Sequence, residues 1–124
     1  RMDSDIIPIF EACIDGTLAE CPLQWKDESS ICVVMAAKGY PDSYEKGKPI
    51  SGLKDANSLP GVVVFQAGTK EQDGEVLTHG GRVLGVTATG EDTATAISRA
   101  YEAVEKIEWD GIHYRKDIGH RASS

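Results

Sequence analysis

Apolar residues recur at three- and four-residue steps near the start of the chain, at Ile6, Ile7, Phe10, Cys13, Ile14 and Leu18. That spacing predicts an amphipathic helix over 6–18. Asp5 stands where it can cap the helix, which puts Pro8 at the third helical position, where a missing N–H costs nothing. Gly16 weakens the end. Residues 19–30 read as a polar connection holding Trp25. Residues 30–37, Ser-Ile-Cys-Val-Val-Met-Ala-Ala, are short, apolar and rich in β-branched side chains, which predicts a buried strand. Residues 38–42 form a Gly-Pro turn. A polar excursion over 42–60 follows, with room for a short edge strand at 49–53.

The pattern then becomes a meander. A strand is predicted over 62–67, an Asp73-Gly74 hairpin turn next, a strand over 76–78, a second tight turn at Gly80-Gly81 and a third strand over 82–89. Both turns are short, so successive strands should pair antiparallel. Glu91-Asp92-Thr93 opens a helix with acids at its positive end. Ala94, Ile97, Ala100, Tyr101, Val104 and Ile107 give it one apolar face, and Gly111 stops it. His113-Tyr114 is a final short strand, and residues 122–124 are a tail. The fold class is α+β: an antiparallel, barrel-sandwich-like sheet with two flanking helices.

Composition narrows the function. A chain of 124 residues fits one domain with one core, and 40% hydrophobic with 27% charged residues indicates a globular protein. No apolar run approaches the ~20 residues of a membrane span, and no signal peptide is visible at the N-terminus. A net charge of −7 argues against nucleic acid as a partner. Cys13, Cys21 and Cys32 are odd in number and widely spaced, as expected of reduced, mostly buried thiols in a cytoplasmic protein. Arg1 before Met2 suggests a piece of something longer.

Against this acidic background two basic motifs stand out. One is Gly80-Gly81-Arg82, and the other is Arg115-Lys116-Asp117 within 113–121. That second segment carries three cations and one carboxylate, +2, so the remainder of the chain sums to −9. Backbone N–H groups beside a guanidinium suit a phosphate or carboxylate. The plainer readings are a hairpin turn followed by a surface Arg, with glycines supplying positive φ, and a solvated run with a weak Arg–Asp pair. His79, His113 and His120 lack metal-ligand spacing. No nucleophile elbow, Walker loop or dinucleotide-binding glycine pattern is present. The residues alone reach a domain with a small-anion site.

Five stretches add a resemblance. They are Val33-Val34-Met35-Ala36-Ala37 leading to Gly39-Tyr40-Pro41, Phe65-x-Ala67-Gly68-Thr69, Gly80-Gly81-Arg82-Val83-Leu84-x-Val86-Thr87-Ala88, Arg99-Ala100-Tyr101, and Tyr114-Arg115-Lys116-Asp117-Ile118-Gly119-x-Arg121-Ala122. In this order they resemble the C-terminal domain of the glycinamide ribonucleotide synthetases, which are phosphoribosylamine–glycine ligases of the ATP-grasp superfamily. Residues 1–20 are similar to the helix closing the family's ATP-grasp domain, and 21–124 to the C-terminal domain.

The resemblance implies a ligase of purine biosynthesis joining glycine to 5-phosphoribosylamine with ATP and Mg2+ or Mn2+. The family's Arg-x-Gly-Asp-Pro-Glu motif is absent, so this chain is expected to bind neither ATP nor metal and to be inactive alone. No catalytic residue is expected in it. Gly80, Gly81, Arg82, Arg115 and Lys116 are the implied ribosyl-phosphate contacts. Gln66 departs from the family's frequent His. Two alternatives remain: a free-standing sugar-phosphate or anion-binding module, and a dimerising domain using 31–37 and 93–107 as an interface.

Overall fold

The computed structural model describes residues 1–122. Helix α1 is Ile6–Asp15, followed by a 3-10 turn at Leu18–Glu20. Strand β1 is Ser29–Ala37, helix α2 is Leu53–Asn57, and β2 is Val62–Gln66. Strands β3 (Thr69–Gln72) and β4 (Glu75–Thr78) precede β5 (Arg82–Gly90), helix α3 (Thr93–Lys106) and β6 (Ile112–Tyr114). A last 3-10 turn covers His120–Ala122.

The main sheet has the order β2-β5-β1-β6, antiparallel at every pairing. Alternation along the strands gives it two unlike faces. One face carries Val33, Met35, Val62, Val64, Leu84, Val86 and Ala88, all buried. It packs against α3 through Ala100, Ala103 and Val104, whose small side chains let the helix sit close. The other face leaves Val34, Val63 and Phe65 about half exposed. Asp92 caps α3 by accepting from the Thr95 N–H at 2.7 Å. The apolar strand 31–37 and the helix over 93–107 therefore bury each other, and the dimerising alternative loses the surface it required.

The meander has a different partner order from the one expected. β2 pairs with β5 directly, and β3 pairs with β4 in a separate two-stranded sheet. The Ala67 and Gly68 N–H groups both donate to Val83 O, which keeps the chain on β5 as β2 ends. The Asp73-Gly74 turn then closes a hairpin, with both residues at positive φ. Residues 49–53 are not a continuous strand. Pro49 bridges to Leu77 and Ser51 to Glu108, and then Gly52, at φ 80°, turns the chain into α2. Thr78 is buried, and its hydroxyl accepts from the Lys48 N–H, tying the hairpin to this excursion.

Among the described residues the sheet does not close into a barrel; β2 and β6 are its two free edges. Of the two helices expected beside it, α3 covers the sheet. Helix α1 packs beside the 3-10 turn, and residues around Met2 pair with residues around Trp25. The main core contains no residue before Ile31. Cys13 and Cys32 are exposed and Cys21 is half-buried, so the expectation of mostly buried thiols fails. Cys13 lies on the open side of α1 and Cys32 on the open face of the sheet. No described helix is long and apolar enough to cross a membrane.

Candidate functional site

The open face of the sheet holds a hollow of about 560 Å³. Cys32 and Val34 of β1, Phe65 of β2 and Arg82 of β5 line it, with Tyr40 and Gly81 at one end. Alternation puts Cys32, Val34 and Phe65 on the side away from α3, and the register shift at Met35/Ala36 pairs Arg82 with Ala36 and brings it to the same side, where it is the one cation of the lining.

The end of the hollow explains the glycines. Gly80 and Gly81 are not at positive φ, so the reading of them as residues of a left-handed turn is corrected. They are needed for close approach instead. A Cβ on Gly81 would land on the Tyr40 ring, and a Cβ on Gly68 would stand 2.8 Å from Gly80 Cα. The Gly81 carbonyl accepts from the Ala37 N–H at 2.8 Å, and the His79 N–H donates to Gly68 O at 2.8 Å. The result is a seam of bare main chain joining the hairpin to the sheet, with Arg82 leaving it.

The second basic motif lies past the end of β6. Arg115 donates from Nε to Asp117 Oδ1 at 2.8 Å and from Nη2 to Oδ2 at 2.6 Å. This fork holds the Asp117 carboxyl below its ordinary value and raises the guanidinium's. Both side chains are more than half exposed, so the pair orients more than it stabilises. The Tyr101 hydroxyl donates to Arg115 O at 2.7 Å and accepts from the Ile118 N–H at 3.1 Å. Gly119, at φ 85°, lets the segment settle against Ile97 and Ile31.

Register relates the two motifs. Arg82 stands opposite Ala36, and Ala36 opposite His113, so Arg82 and His113 share one row across β1. Arg115 follows His113 by two residues. The basic motifs thus flank β1 on its two sides. They line separate hollows, with Arg82 in the one on the open face and Arg115 in another of about 450 Å³ bounded by Asp117, Ile118 and Gly119. Lys116 is exposed and lines neither.

Sequence reasoning missed Tyr40 over Gly81, Gly68 in the seam, and the Tyr101 hydroxyl. Each stands in a stretch that carried the resemblance, which was the available signal. Among the described residues no three His, Cys, Asp or Glu side chains gather to hold a metal ion.

Three of the resembling stretches meet at the hollow on the open face: Val34 with Tyr40, Phe65 with Gly68, and Gly81 with Arg82. Comparison with known proteins bears on the resemblance itself. Residues 30–121 match the family described as phosphoribosylglycinamide synthetase, C domain. The chain belongs to that family. A phosphoribosylamine–glycine ligase of Synechocystis is 53% identical over 115 residues, 92% of this chain and 27% of the relative. The chloroplastic phosphoribosylamine–glycine ligase of Arabidopsis thaliana is 48% identical over 124 residues, covering 23% of that protein. The crystal structure of phosphoribosylamine–glycine ligase from Thermotoga maritima superposes with a TM-score of 0.69 at 35% identity, over 87% of this chain and 27% of that one. This C domain therefore spans about a quarter of the length of the ligases it matches.

Proposed function

We propose that the chain serves as the C-terminal domain of a phosphoribosylamine–glycine ligase and holds the phosphate of 5-phosphoribosylamine. In that reaction ATP supplies the phosphoryl group that activates the carboxylate of glycine, and the amine of 5-phosphoribosylamine then displaces phosphate to form the amide. The domain's share is positioning, which lowers a barrier by fixing the acceptor near its target. The observation that carries this reading is the hollow built from three family stretches with Arg82 in its lining.

The chemistry of the cations suits a phosphate. Arg82 offers a planar fork and Lys116 a point charge. Arg115 uses two of its five N–H donors on Asp117, and three remain for a ligand. Gly80 and Gly81 place no side chain between a ligand and the backbone.

Helix α1 fits the same reading. It buries Ile9 and Ala12 on one side and exposes Ile6, Ile7, Phe10 and Ile14 on the other. A helix apolar all round belongs inside a larger core. We assign residues 1–20 to the closing helix of a preceding ATP-grasp domain and 21–124 to the C domain, in keeping with a main core that starts at Ile31. ATP and magnesium or manganese belong to that preceding part. The cytoplasm is the proposed compartment for this chain, although one plant relative is named as chloroplastic.

The test joins this chain to the upstream part of a related ligase. Arg82→Ala should raise KM for 5-phosphoribosylamine about tenfold or more and change KM for glycine little, since a charged hydrogen bond is worth about 1.5–3 kcal/mol. An unchanged KM for 5-phosphoribosylamine, or full turnover by the chain alone, would overturn the assignment.

A further inference from the structure

The segment after β6 has no strand partner beyond Tyr114, yet it follows a defined path. Turn hydrogen bonds hold it internally, the His120 N–H donating to Asp117 O and the Ala122 N–H to Gly119 O, and two contacts tie it to the rest of the fold's core. Gly119 seats against Ile97 and Ile31, and the Tyr101 hydroxyl grips the turn itself. That single oxygen donates to Arg115 O and accepts from the Ile118 N–H, so it spans the stretch holding Arg115, Lys116 and Asp117. Tyr101 stands on α3 beside Ala100, Ala103 and Val104, which are buried in the core. The hydroxyl is therefore fixed relative to the sheet, and so is the turn it holds. Asp117 completes the arrangement by clasping the Arg115 guanidinium.

We infer that Tyr101 is a positioning residue for the anion site, its hydroxyl bridging Arg115 O and the Ile118 N–H so that Arg115 and Lys116 are already ordered when a phosphate arrives. This rests on the phosphate-binding reading above and adds a residue that touches no ligand. Ordering the turn in advance removes a cost that binding would otherwise carry, so the benefit falls on affinity. Tyr101→Phe is the direct variant, because it deletes the two hydrogen bonds and leaves the ring in place.

The experiment titrates the chain with inorganic phosphate and with ribose 5-phosphate, following backbone amides by NMR. In the unaltered protein the Arg115 and Lys116 amides should shift and saturate, and ligand should slow hydrogen exchange at the Ile118 amide. In Tyr101→Phe the dissociation constant should rise about five- to tenfold, as for one or two lost hydrogen bonds. Its melting temperature should stay close to that of the parent, a split that a purely structural role would not produce. Equal affinity in the two proteins would overturn the inference while leaving the site intact. If the variant folds poorly, Ile118 exchange in the unaltered protein decides: no slowing by a ligand that shifts Arg115 and Lys116 overturns the inference. Amides at 115 and 116 that ignore both ligands would overturn this inference and remove Arg115 and Lys116 from the phosphate reading, and silence at Gly81 and Arg82 as well would overturn that reading itself.

Discussion

An added methyl group at position 81 would fall on the face of the Tyr40 ring, and a ring atom near the Cβ cannot swing aside as a lysine tip can. Gly81→Ala should therefore cost about 1–3 kcal/mol, the usual range for forcing volume into a packed contact. If the ring is the obstacle, Tyr40→Ala should relieve part of that cost. A double-mutant cycle read by urea unfolding should give a coupling of at least about 0.5 kcal/mol, and additive losses would show that something else excludes the side chain. None of this was visible in the sequence. Gly80-Gly81 looks like turn chemistry, and the ring that demands glycine comes from a distant loop. Tyr101 was hidden for a similar reason. A tyrosine at helical spacing looks like core, and nothing local reveals which backbone groups its hydroxyl meets. The cations were legible because they stand out against an acidic chain.

The caps and alternations of individual elements are local, and here sequence and structure agree closely. Asp5 caps α1 as the spacing predicts, and α3 opens where Glu91-Asp92-Thr93 placed it, with Asp92 as its cap. β1 alternates because one face meets α3 and the other does not. Elements without a local signature were missed. β3 is Thr-Lys-Glu-Gln, with no apolar side, and α2 is five residues long. The pairing of β2 with β5 was also missed, because an Asp-Gly turn closes a hairpin with whichever strand precedes it. The Asp92 cap has a pH consequence. Hydrogen bonding from Thr95 lowers its carboxyl pKa below the ordinary 3.8. The charged form is favoured by folding, so its contribution is complete above that ordinary value and is lost as pH falls through the lower, folded value. Asp117 acts in the same direction through Arg115. Asp92→Asn keeps a capping acceptor that does not titrate. Melting temperatures taken below about pH 5 should fall less steeply in this variant, with Asp117 leaving a remainder. An identical acid profile would remove the cap from the account.

At the scale of the molecule, two apolar surfaces face outward: the Ile7, Phe10 and Ile14 side of α1 and the Val63 and Phe65 side of the sheet. Ile14 is 84% exposed, so little of its surface is used within this chain. Ile14→Gln should leave unfolding free energy within about 0.5 kcal/mol. A stability loss above about 2 kcal/mol would mean that this face is packed within the chain after all. The order β2-β5-β1-β6 bears on how the protein is made. Within this sheet β1 is the first strand to be synthesised, and it ends up in the interior, where its two neighbours are β5 and β6. A nascent chain leaving the ribosome must carry Val33 and Met35 uncovered until α3, which packs over them, has emerged, and it cannot finish the sheet before Tyr114. Such distant partners make folding slow and leave a sticky intermediate. The period of greatest exposure for its apolar core thus falls at synthesis, before the last strand arrives.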